Sequence, residues 1–574
     1  MDFLDYIGHA SRYKESNRND FADEIKIRLV TNFTDDILKN VLTGIALANK
    51  VYPVIDQAPY RQYHLALKDP KSALWQGDPN ITFLFFNMNP FGSSEFRSSK
   101  EHFEEVLHGV EQYSRAAKGT VVLNDFIVSY QGAYGNLFRH DPLFALAQEY
   151  NEKLAALAER LPNLVIFDTN RLVHIMGESS VFDLRGLYAF DVPFTHEFMT
   201  VLAEEWFAFV RALLGKAKKC IVVDLDNTLW GGVVGELGPL GIALGPDYPG
   251  NAFVNFQRAL LEFYDRGIIL AIVSKNNIED VQEVFQKNPH MVLKEKHFAA
   301  VRANWGEKAE NLMEIAKELN IGVESMVFLD DDPLNREMVA ARLPGITVPD
   351  FSMPPEEYAQ ALYALNLFHQ FALTEEDTQK GKMYAEERQR KKIAEVAVDI
   401  NQYIAKLGIK IKASVNAETI VPRLSQLTLK TNQFNLTTKR YSENDIKKLI
   451  ADGALIFAAN VSDTFGDYGT VVMAIVIPGT HHEATLDTFL MSCRVMGRGV
   501  ECVFIDRVLR ELNARGITKL HASFIPSAKN KPAETFLHGH GFSVTAEPNT
   551  YMVPLPAYIK KPCSEINKAI TITT

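Results

Sequence analysis

Cysteine is rare in this chain, whose 574 residues include only four: Cys220, Cys493, Cys502 and Cys563. So few and so irregularly spaced cysteines form neither a disulfide framework nor a zinc cluster, and they are typical of a reducing compartment. Long apolar runs are missing too, because the longest, ITFLFF and GIILAIV, are far too short to span a bilayer. The first residues lack the basic and apolar segments of a secretory signal. We therefore expect a cytoplasmic protein without a membrane segment.

Positive charge is not in excess either. The chain has 60 lysine and arginine residues against 71 aspartate and glutamate residues, a formal net charge of −11. This balance argues against a nucleic-acid partner. The composition is otherwise that of a folded protein, with 47% hydrophobic residues and no low-complexity tract. The length exceeds what one core supports, so we expect about three or four domains.

Strand–helix alternation predicts α/β architecture. In the first 215 or so residues, strands are predicted at IKIRLV, NITFLFF, TVVLNDFIV and NLVIFD, with an amphipathic helix at LFALAQEYNEKLAALAERL. A second unit starts at KAKKCIVVDLD, and its strands are apolar runs that end in polar residues, as buried parallel strands do. A charged segment (373–392) predicts a helical connector, followed by antiparallel strands at TFGDYGTVVMAIVI and HEATLDTFLMS. We place domains at 1–215, 216–375 and 376–574.

Paired carboxylates follow two of the predicted strands. In CIVVDLDNTLWGG, Asp224 and Asp226 face the same way, because alternate residues of a strand share a face. Two ionised carboxylates that close repel each other unless a cation lies between them or one is protonated. FLDDDP repeats the pattern with Asp330, Asp331 and Asp332. A hard cation with oxygen ligands, above all Mg²⁺, satisfies both sets.

A hydroxyl and an ammonium lie between these two acidic motifs. Ser274 ends the predicted strand IILAIVS, and Lys308 begins a predicted helix after NW. Taken singly, each feature has an ordinary explanation: a solvated turn for D-x-D, or a helix N-cap for the triple Asp. The four elements in order, each at a strand end or on the next helix, favour a site that holds a phosphate against a metal and an aspartate nucleophile.

The motifs DLDNTLWGG, SKNN, NWGEKAENL and FLDDDP resemble the haloacid dehalogenase (HAD) superfamily and, within it, the FkbH-like branch. The resemblance implies that Asp224 is the nucleophile that takes up a phosphoryl group and that Asp226 is the general acid/base. Ser274 would then bind a phosphoryl oxygen, and Lys308 would neutralise charge on the intermediate. The implied Mg²⁺ ligands are Asp224, Asp226, Asp330 and Asp331.

FkbH-like proteins are associated with dephosphorylating 1,3-bisphosphoglycerate and loading its glyceryl group onto an acyl carrier protein. The resemblance therefore implies a phosphatase/acyl transferase with a small phosphorylated substrate and a carrier-protein or CoA thiol as acceptor. The fifty residues from Asp224 to Ser274 leave little room for a large cap domain, so we expect an open site. Asp332 stands where Asn is expected. Cys220, roughly 13 Å upstream of Asp224 along a strand, is predicted to be a core residue.

A glycine-rich loop precedes a predicted helix in RVMGRGVE, where Arg494, Gly497 and Gly499 form R-x-x-G-x-G. Such a loop favours a pyrophosphate at the helix start, although it is equally a tight turn. This spacing and NKPAETFLHGHGF resemble GCN5-related N-acetyltransferases (GNATs). The resemblance implies binding of CoA or phosphopantetheine by Arg494, Gly497, Arg498 and Gly499. Leu537 replaces the tyrosine that many of these enzymes use as general acid, and the candidate substitutes are His538, His540 and Asp467.

The first unit resembles an SGNH-hydrolase-like domain through LVTNFTDD, FNMNP and DVPFTHEF. It has no G-D-S motif, Thr34 and Ser93 replace the serine only loosely, and Asp191 and His196 are five residues apart rather than three. We expect a helper domain here. The expected order is thus an SGNH-like α/β domain, a HAD-type Rossmannoid parallel sheet and a GNAT-like mixed α/β domain. The alternatives are an N-acyltransferase/phosphatase that modifies a sugar or small metabolite in polysaccharide or secondary-metabolite biosynthesis, and a non-catalytic scaffold.

Overall fold

The computed structural model describes residues 2–13, 17–58, 63–87, 100–128, 133–371, 400–559 and 570–573. The chain forms two compact units, of which the first comprises the residues up to Leu214 and Tyr441–Ile446, and the second the remainder. Both combine helices with sheets, which confirms the predicted α/β class. The three-domain division stays a prediction. The connector at 373–392, the boundary near 375, Ser93 and Cys563 lie outside the described residues.

A five-stranded parallel sheet forms the first unit, in the order β2-β1-β3-β4-β5. Its strands are β1 (Asp23–Thr31), β2 (Val51–Gln57), β3 (Ile81–Phe85), β4 (Thr120–Asn124) and β5 (Leu164–Phe167). The four predicted strands are confirmed. The sequence analysis missed β2, an edge strand that contains Pro53 and buries only two of its seven residues, so its apolar signal is weak.

Nine helices of the described residues accompany this sheet. They are α1 (Phe3–Ser11), α2 (Asp36–Ala48), α3 (Tyr63–Lys68), α4 (Lys100–Ala116), α5 (Pro142–Arg160), α6 (Thr169–Met176), α7 (Glu178–Val181), α8 (Leu184–Phe190) and α9 (His196–Leu213). The predicted amphipathic helix is α5. It begins where the Asp141 carboxylate accepts a hydrogen bond from the Leu143 N–H at 2.8 Å, an N-cap that satisfies a helix-start donor.

A four-stranded parallel sheet, the central sheet, begins the second unit in the order β8-β7-β6-β9. Its strands are β6 (Cys220–Val223), β7 (Ile269–Ser274), β8 (Phe298–Ala303) and β9 (Met326–Leu329). Three were predicted, and all their residues are buried, including Cys220, whose core placement is confirmed. The sequence analysis missed β8, an edge strand half composed of alanine and only half buried.

Six helices of the described residues follow the central strands. They are α10 (Val234–Leu237), α11 (Gly250–Asp265), α12 (Ile278–Lys287), α13 (Lys308–Glu318), α14 (Pro333–Arg342) and α15 (Tyr358–Tyr363). Gly267, with φ +85°, follows the end of α11. Between Asp224 and Ser274, a stretch described throughout, lie only α10, α11, the strand β7 that ends at Ser274, and the loops that connect them. No cap domain is inserted there.

A mixed sheet completes the second unit in the order β16-β17-β15-β14-β13-β12-β10-β18, with β11 paired to β14. Its strands are β10 (Lys410–Val415), β11 (Phe434–Asn435), β12 (Leu455–Ser462), β13 (Asp467–Pro478), β14 (Glu483–Met491), β15 (Lys519–Ser523), β16 (Ser543–Val544), β17 (Thr550–Pro554) and β18 (Thr571–Thr573). The predicted antiparallel pair, β13 and β14, is confirmed.

The helices around the mixed sheet are shorter, apart from one. They are α16 (Ile400–Leu407), α17 (Val421–Lys430), α18 (Glu443–Ala451), α19 (Val500–Ala514), α20 (Phe536–Gly539) and α21 (Leu555–Ile559). The predicted helix after the glycine loop is α19. In NKPAETFLHGHGF, the structure has a 3-10 turn, Lys531–Ala533, followed by α20. None of the helices in the described ranges is both long and apolar enough to cross a membrane.

Within the second unit, residues of the mixed-sheet part contact loops that lead into β6 and β9. The Asn320 amide donates to the Cys493 carbonyl at 3.0 Å, and the Lys529 ammonium lies 3.1 Å from the Glu324 carboxylate. The Lys219 ammonium donates to a main-chain carbonyl of α17 at 3.2 Å. These contacts all lie at the amino-terminal edge of the central sheet.

Candidate active site

Asp224 lies directly after β6, at the carboxyl edge of the central sheet. Its N–H donates to the Leu329 carbonyl at 2.9 Å, so the parallel pairing of β6 with β9 brings Asp224 beside Asp330. Both carboxylates are buried. Burial raises the pKa of Asp224 to about 6, the Lys308 ammonium acts in the opposite direction, and Asp330 raises it further. The site therefore attracts positive charge.

Lys308 supplies one such charge. It is the first residue of α13, and its ammonium lies 2.9 Å from Asp224 Oδ1 and 2.7 Å from Asp330 Oδ2. Burial alone would lower the pKa of Lys308, but the two carboxylates outweigh that effect and raise it. The lysine is thus held as a cation between two acids, in a position to neutralise an anion bound at the same edge.

Three carboxylates form a group that can hold a metal ion. One oxygen each of Asp224, Asp330 and Asp331 lies within 4.8 Å of the others. The Thr228 hydroxyl donates to Asp331 Oδ1 and accepts from the Asp331 N–H, both at 3.1 Å, which fixes the Asp331 side chain. Burial, with a contribution from Asp330, raises the pKa of Asp331. An all-oxygen donor set with excess negative charge fits Mg²⁺.

Asp226, also predicted as a ligand, has its side chain outside this group of three. Its Oδ1 accepts hydrogen bonds from the Trp230 indole at 2.9 Å and from the Val234 N–H at 3.1 Å. Its Oδ2 accepts from the Asn276 amide at 3.0 Å. Three donors therefore fix the carboxylate, and its acid/base and ligand roles stay predictions.

Ser274 closes the site from β7. It is buried at the end of that strand, and its hydroxyl hydrogen-bonds with the Asp224 carboxylate. The Asn276 amide donates to the Ser274 Oγ at 3.1 Å as well as to Asp226, so one side chain orients both groups. The sequence analysis quoted the SKNN motif but assigned no role to Asn276.

Close packing explains why glycine follows Trp230 in the WGG motif. Gly231 exchanges main-chain hydrogen bonds with Ala243 at 3.1 and 2.8 Å. A Cβ at Gly231 would lie 2.8 Å from the Phe253 ring and 3.0 Å from the Ala243 Cβ. The neighbouring Trp230 is fully buried. The tryptophan reaches Asp226 because glycine lets the following chain pack this closely.

Asp332 and Arg336 support the second acidic motif. Asp332 is the N-cap of α14, where its carboxylate accepts from the Leu334 N–H at 2.9 Å. The buried Arg336 guanidinium donates to the main-chain carbonyls of Asp330 and Asp331, each at 2.7 Å. Arg336 thereby fixes the loop that carries the candidate ligands. Nothing in the sequence distinguishes it from other helical arginines.

In the glycine loop of the mixed-sheet part, Arg494–Gly499, one position, Gly497, has free space beside its backbone. Gly497 and Gly499 have φ of +73° and +74°, and a Cβ at Gly497 would have no neighbour within 4 Å. Gly499 is the N-cap of α19, so the backbone fits an anionic group such as a pyrophosphate. Arg498 is buried, donates to the Tyr468 hydroxyl and lies over that ring at 5.1 Å. An Arg494 side-chain N–H donates to the Ser492 Oγ at 3.4 Å. Binding of CoA by these residues stays a prediction.

Leu537, which stands in place of the tyrosine general acid, and its three candidate substitutes all make contacts within the fold. Leu537 is buried in the core. His540 Nδ1 lies 2.7 Å from the Phe536 carbonyl, and burial lowers the pKa of that imidazole. The exposed His538 packs edge-on against Tyr551, and the Asp467 carboxylate accepts from the Gly469 N–H at 2.7 Å.

In the first unit, the structure brings Thr34 next to Asp191. The Thr34 N–H donates to the Asp191 carbonyl at 2.9 Å, and its hydroxyl donates to the Phe190 carbonyl at 3.1 Å. Asp191 has a left-handed conformation, with φ +54°, that ends α8. The His196 ring instead stacks on Phe3 at 4.3 Å. These are the contacts of a helix-ending turn.

A buried acid cluster with an embedded lysine, at the carboxyl edge of a parallel sheet, has no structural purpose that apolar packing would not serve better. The fold and this site together define an α/β enzyme.

Among solved structures, the chain is similar to the N-terminal part of the protein BF1531 from Bacteroides fragilis, which contains a phosphatase domain complexed with Mg. The identity is 28% and the TM-score 0.60, over 65% of this chain and all of that one. No protein-family model and no curated protein matches the chain.

Two acetyltransferases match a smaller part. A GNAT-family enzyme from Staphylococcus aureus covers 25% of this chain and 99% of its own, with 12% identity and a TM-score of 0.21. The ribosomal-protein-S18-alanine N-acetyltransferase from Escherichia coli covers 25% of this chain and 94% of its own, with 17% identity and a TM-score of 0.20. These scores are too low to assign an activity to the mixed-sheet part.

Proposed function

We propose that the chain is an FkbH-like, HAD-type phosphatase that depends on Mg²⁺ and uses Asp224 as its nucleophile. The observation that carries this proposal is the Lys308 ammonium, 2.9 Å from Asp224 and 2.7 Å from Asp330, beside three convergent carboxylates. Mg²⁺ bound to the Bacteroides fragilis phosphatase domain supports the same metal here. The substrate is a small phosphorylated molecule.

In the proposed reaction, a carboxylate oxygen of Asp224 attacks phosphorus in line with the leaving oxygen. A new O–P bond forms on Asp224 as the bond to the leaving group breaks, and Asp226 donates a proton to the leaving oxygen. Asp226 then accepts a proton from the water that attacks the aspartyl phosphate, which regenerates Asp224 and releases phosphate.

The surrounding side chains bind the phosphoryl group. The Lys308 ammonium and the Ser274 hydroxyl donate to its oxygens, because both already point at Asp224. Asp224, Asp330 and Asp331 would hold a Mg²⁺ ion, which would supply further positive charge to the phosphoryl group. The ionised form of Asp224 is the nucleophile, and both cations favour it over the protonated form.

For an acyl phosphate such as 1,3-bisphosphoglycerate, we propose transfer of the acyl group to a thiol. The thiolate sulfur attacks the acyl carbon, the C–O bond breaks, and the C1 phosphate leaves with the bridging oxygen. The remaining 3-phosphate is then removed through Asp224 by the phosphatase reaction above, which leaves a glyceryl thioester. Attack of Asp224 on the C1 phosphorus would instead release the free acid, so the two routes differ in the bond that breaks. The acceptor thiol belongs to CoA or to phosphopantetheine on an acyl carrier protein. We assign its binding to the loop Arg494–Gly499 of a GNAT-like domain.

The test combines both routes in one assay in water labelled with oxygen-18. The protein, Mg²⁺, 1,3-bisphosphoglycerate and a holo acyl carrier protein are incubated, and phosphate release and carrier mass are measured. A carrier mass gain of one glyceryl group, lost in Asp224→Asn, supports acyl transfer. Labelled phosphate without that gain indicates hydrolysis through the aspartyl phosphate. Asp332→Asn is the matched control, because Asn caps a helix as well as Asp does.

Two outcomes would change the proposal. Phosphate release without acyl transfer, together with acyl-CoA turnover that is sensitive to substitution of Gly497, would favour the N-acyltransferase. Absence of any Mg²⁺-dependent phosphate release would refute the phosphatase. We further infer from the few cysteines a cytoplasmic location, and from the missing G-D-S an SGNH-like helper domain that binds substrate or positions a partner.

A further inference from the structure

Trp305 lies beside the candidate active site without being part of it. It follows β8 and precedes Lys308 by three residues, while Asn277 follows Ser274 by three residues on the neighbouring strand β7. Since β7 and β8 are parallel, both loops leave the sheet at the edge that carries Asp224. Trp305 and Asn277 are therefore each only three residues away from a residue of the candidate active site.

Hydrogen bonds hold this tryptophan in place. The indole N–H donates to Asn277 Oδ1 at 3.0 Å, and the Asn277 amide in turn donates to Asp280 at 3.0 Å. The Asn304 N–H donates to the Ser274 carbonyl at 3.1 Å, and its side chain accepts from the Gly306 N–H at 2.9 Å. The loop that carries Trp305 is thus bound directly to the strand end that carries Ser274.

The indole is nevertheless 71% exposed. Of the four tryptophans, all of which the structure describes, Trp206 and Trp230 are buried and Trp75 is half-buried. An exposed apolar side chain is common by itself. One that is oriented through its only polar atom, with its ring faces left in water, has the properties of a preorganised contact surface.

Other exposed apolar side chains follow strands at the same edge. Leu237 ends α10 after β6 and is 50% exposed, and Leu334 lies in the first turn of α14 after β9 and is 67% exposed. Helix α10 packs against α12, whose first residue follows Asn277. Segments after three of the four central strands thus place exposed apolar side chains at the edge that carries Asp224, and no cap domain is inserted between Asp224 and Ser274.

We propose that Trp305 determines substrate specificity: its indole face contacts the uncharged, carbon-rich part of the phosphorylated substrate while the phosphoryl group lies at Asp224. The inference rests on the proposed function, because it takes the phosphoryl position from that mechanism. To the small acyl phosphates of the proposed function, it adds a second substrate class: phosphates whose organic group is large enough to extend from Asp224 to Trp305. The smallest acyl phosphates are too short to use this contact.

The test compares two phosphates of different reach. In Trp305→Ala, KM for p-nitrophenyl phosphate is expected to rise about tenfold with kcat within about twofold, because only binding energy is lost. KM for acetyl phosphate is expected to stay within about twofold of the native value, since its methyl group is too short for the contact. Trp305→Phe keeps a ring and is expected to keep most of the affinity, whereas Asn277→Ala releases the indole and is expected to give an intermediate KM.

The matched control is Met313→Ala, a change at an exposed apolar residue on the helix α13 that follows Trp305, and it should leave KM for both phosphates unchanged.

A second measurement does not need turnover. Phenylphosphonate, which cannot be hydrolysed, is titrated with Mg²⁺ present, and tryptophan emission is expected to change in the native protein but not in Trp305→Phe. An emission change without hydrolysis of either phosphate would refute the proposed function and support this inference. Hydrolysis with unchanged emission, or with equal KM changes for both phosphates, would overturn this inference alone. Neither hydrolysis nor an emission change would overturn both.

Discussion

The Trp230 indole donates a hydrogen bond to Asp226 at 2.9 Å, from a fully buried position four residues along the chain. This contact explains why a tryptophan follows the first acidic motif. It also fixes the carboxylate to which we assign the proton transfers, since a general acid must be oriented as well as present.

Trp230→Phe is expected to reduce kcat about tenfold while KM stays within about twofold, because the ring still fills its site but Asp226 loses a donor that orients it. The measurement is Mg²⁺-dependent phosphate release from acetyl phosphate. Trp206→Phe, a change at another buried tryptophan, is the control and should keep native kcat. An unchanged kcat in Trp230→Phe would show that the hydrogen bond from Trp230 is not needed to orient Asp226 for catalysis.

Lys308→Met is expected to destabilise the metal-free protein by about 3–5 kcal/mol, because it leaves two buried carboxylates without their cation. Mg²⁺ should raise the midpoint of thermal unfolding more in this variant than in the native protein, since the metal then replaces the positive charge that Lys308 supplied between Asp224 and Asp330. Lys308→Arg keeps the positive charge, so we expect it to lose less unfolding free energy than Lys308→Met. Equal Mg²⁺ effects in all three proteins would argue against a metal at these carboxylates.

The raised pKa of Asp224 predicts a pH dependence of stability. Between the pKa of an ordinary Asp and about 6, the native state binds a proton that the unfolded state has released. The contribution of this carboxyl group to stability therefore falls as pH rises from 4 to 6. Urea unfolding of the metal-free protein should show the native protein losing stability relative to Asp224→Asn over that range. A difference that is constant with pH would contradict the raised pKa.

Gly231→Ala is expected to cost about 1–3 kcal/mol of unfolding free energy, because its Cβ would lie 2.8 Å from the Phe253 ring. Gly235→Ala is the matched control. A Cβ there meets nothing within 4 Å, and alanine favours the helical conformation of α10, so this variant should be as stable as the native protein or more so. Both are measured by urea unfolding. Equal unfolding free energies for the two variants would show that the chain after Trp230 can move to accommodate a Cβ at Gly231.

The acidic residues of the site could be predicted because each follows an apolar strand, and parallel strands end at one edge. The groups that orient them could not. Asn276 acts through a hydrogen bond to Asp226, fifty residues earlier, and no spacing along the chain encodes such a contact. Arg336 donates to carbonyls only five and six residues earlier, but the bond depends on the fold of the loop and not on a residue pattern. In the two parallel sheets, the strands that the sequence analysis missed, β2 and β8, are edge strands with partly exposed faces, so the apolar signal that identified the others is weak in them.

The mixed-sheet part is fastened to the central sheet through Asn320 and Glu324, at the edge opposite Asp224. The strand β6 separates these two edges by about 13 Å, at about 3.3 Å per residue. Under the acyl transfer that we propose, a thiol held at the glycine loop would therefore have to reach at least the length of β6 to meet a substrate at Asp224, so the length of its arm would be a determinant of the overall rate.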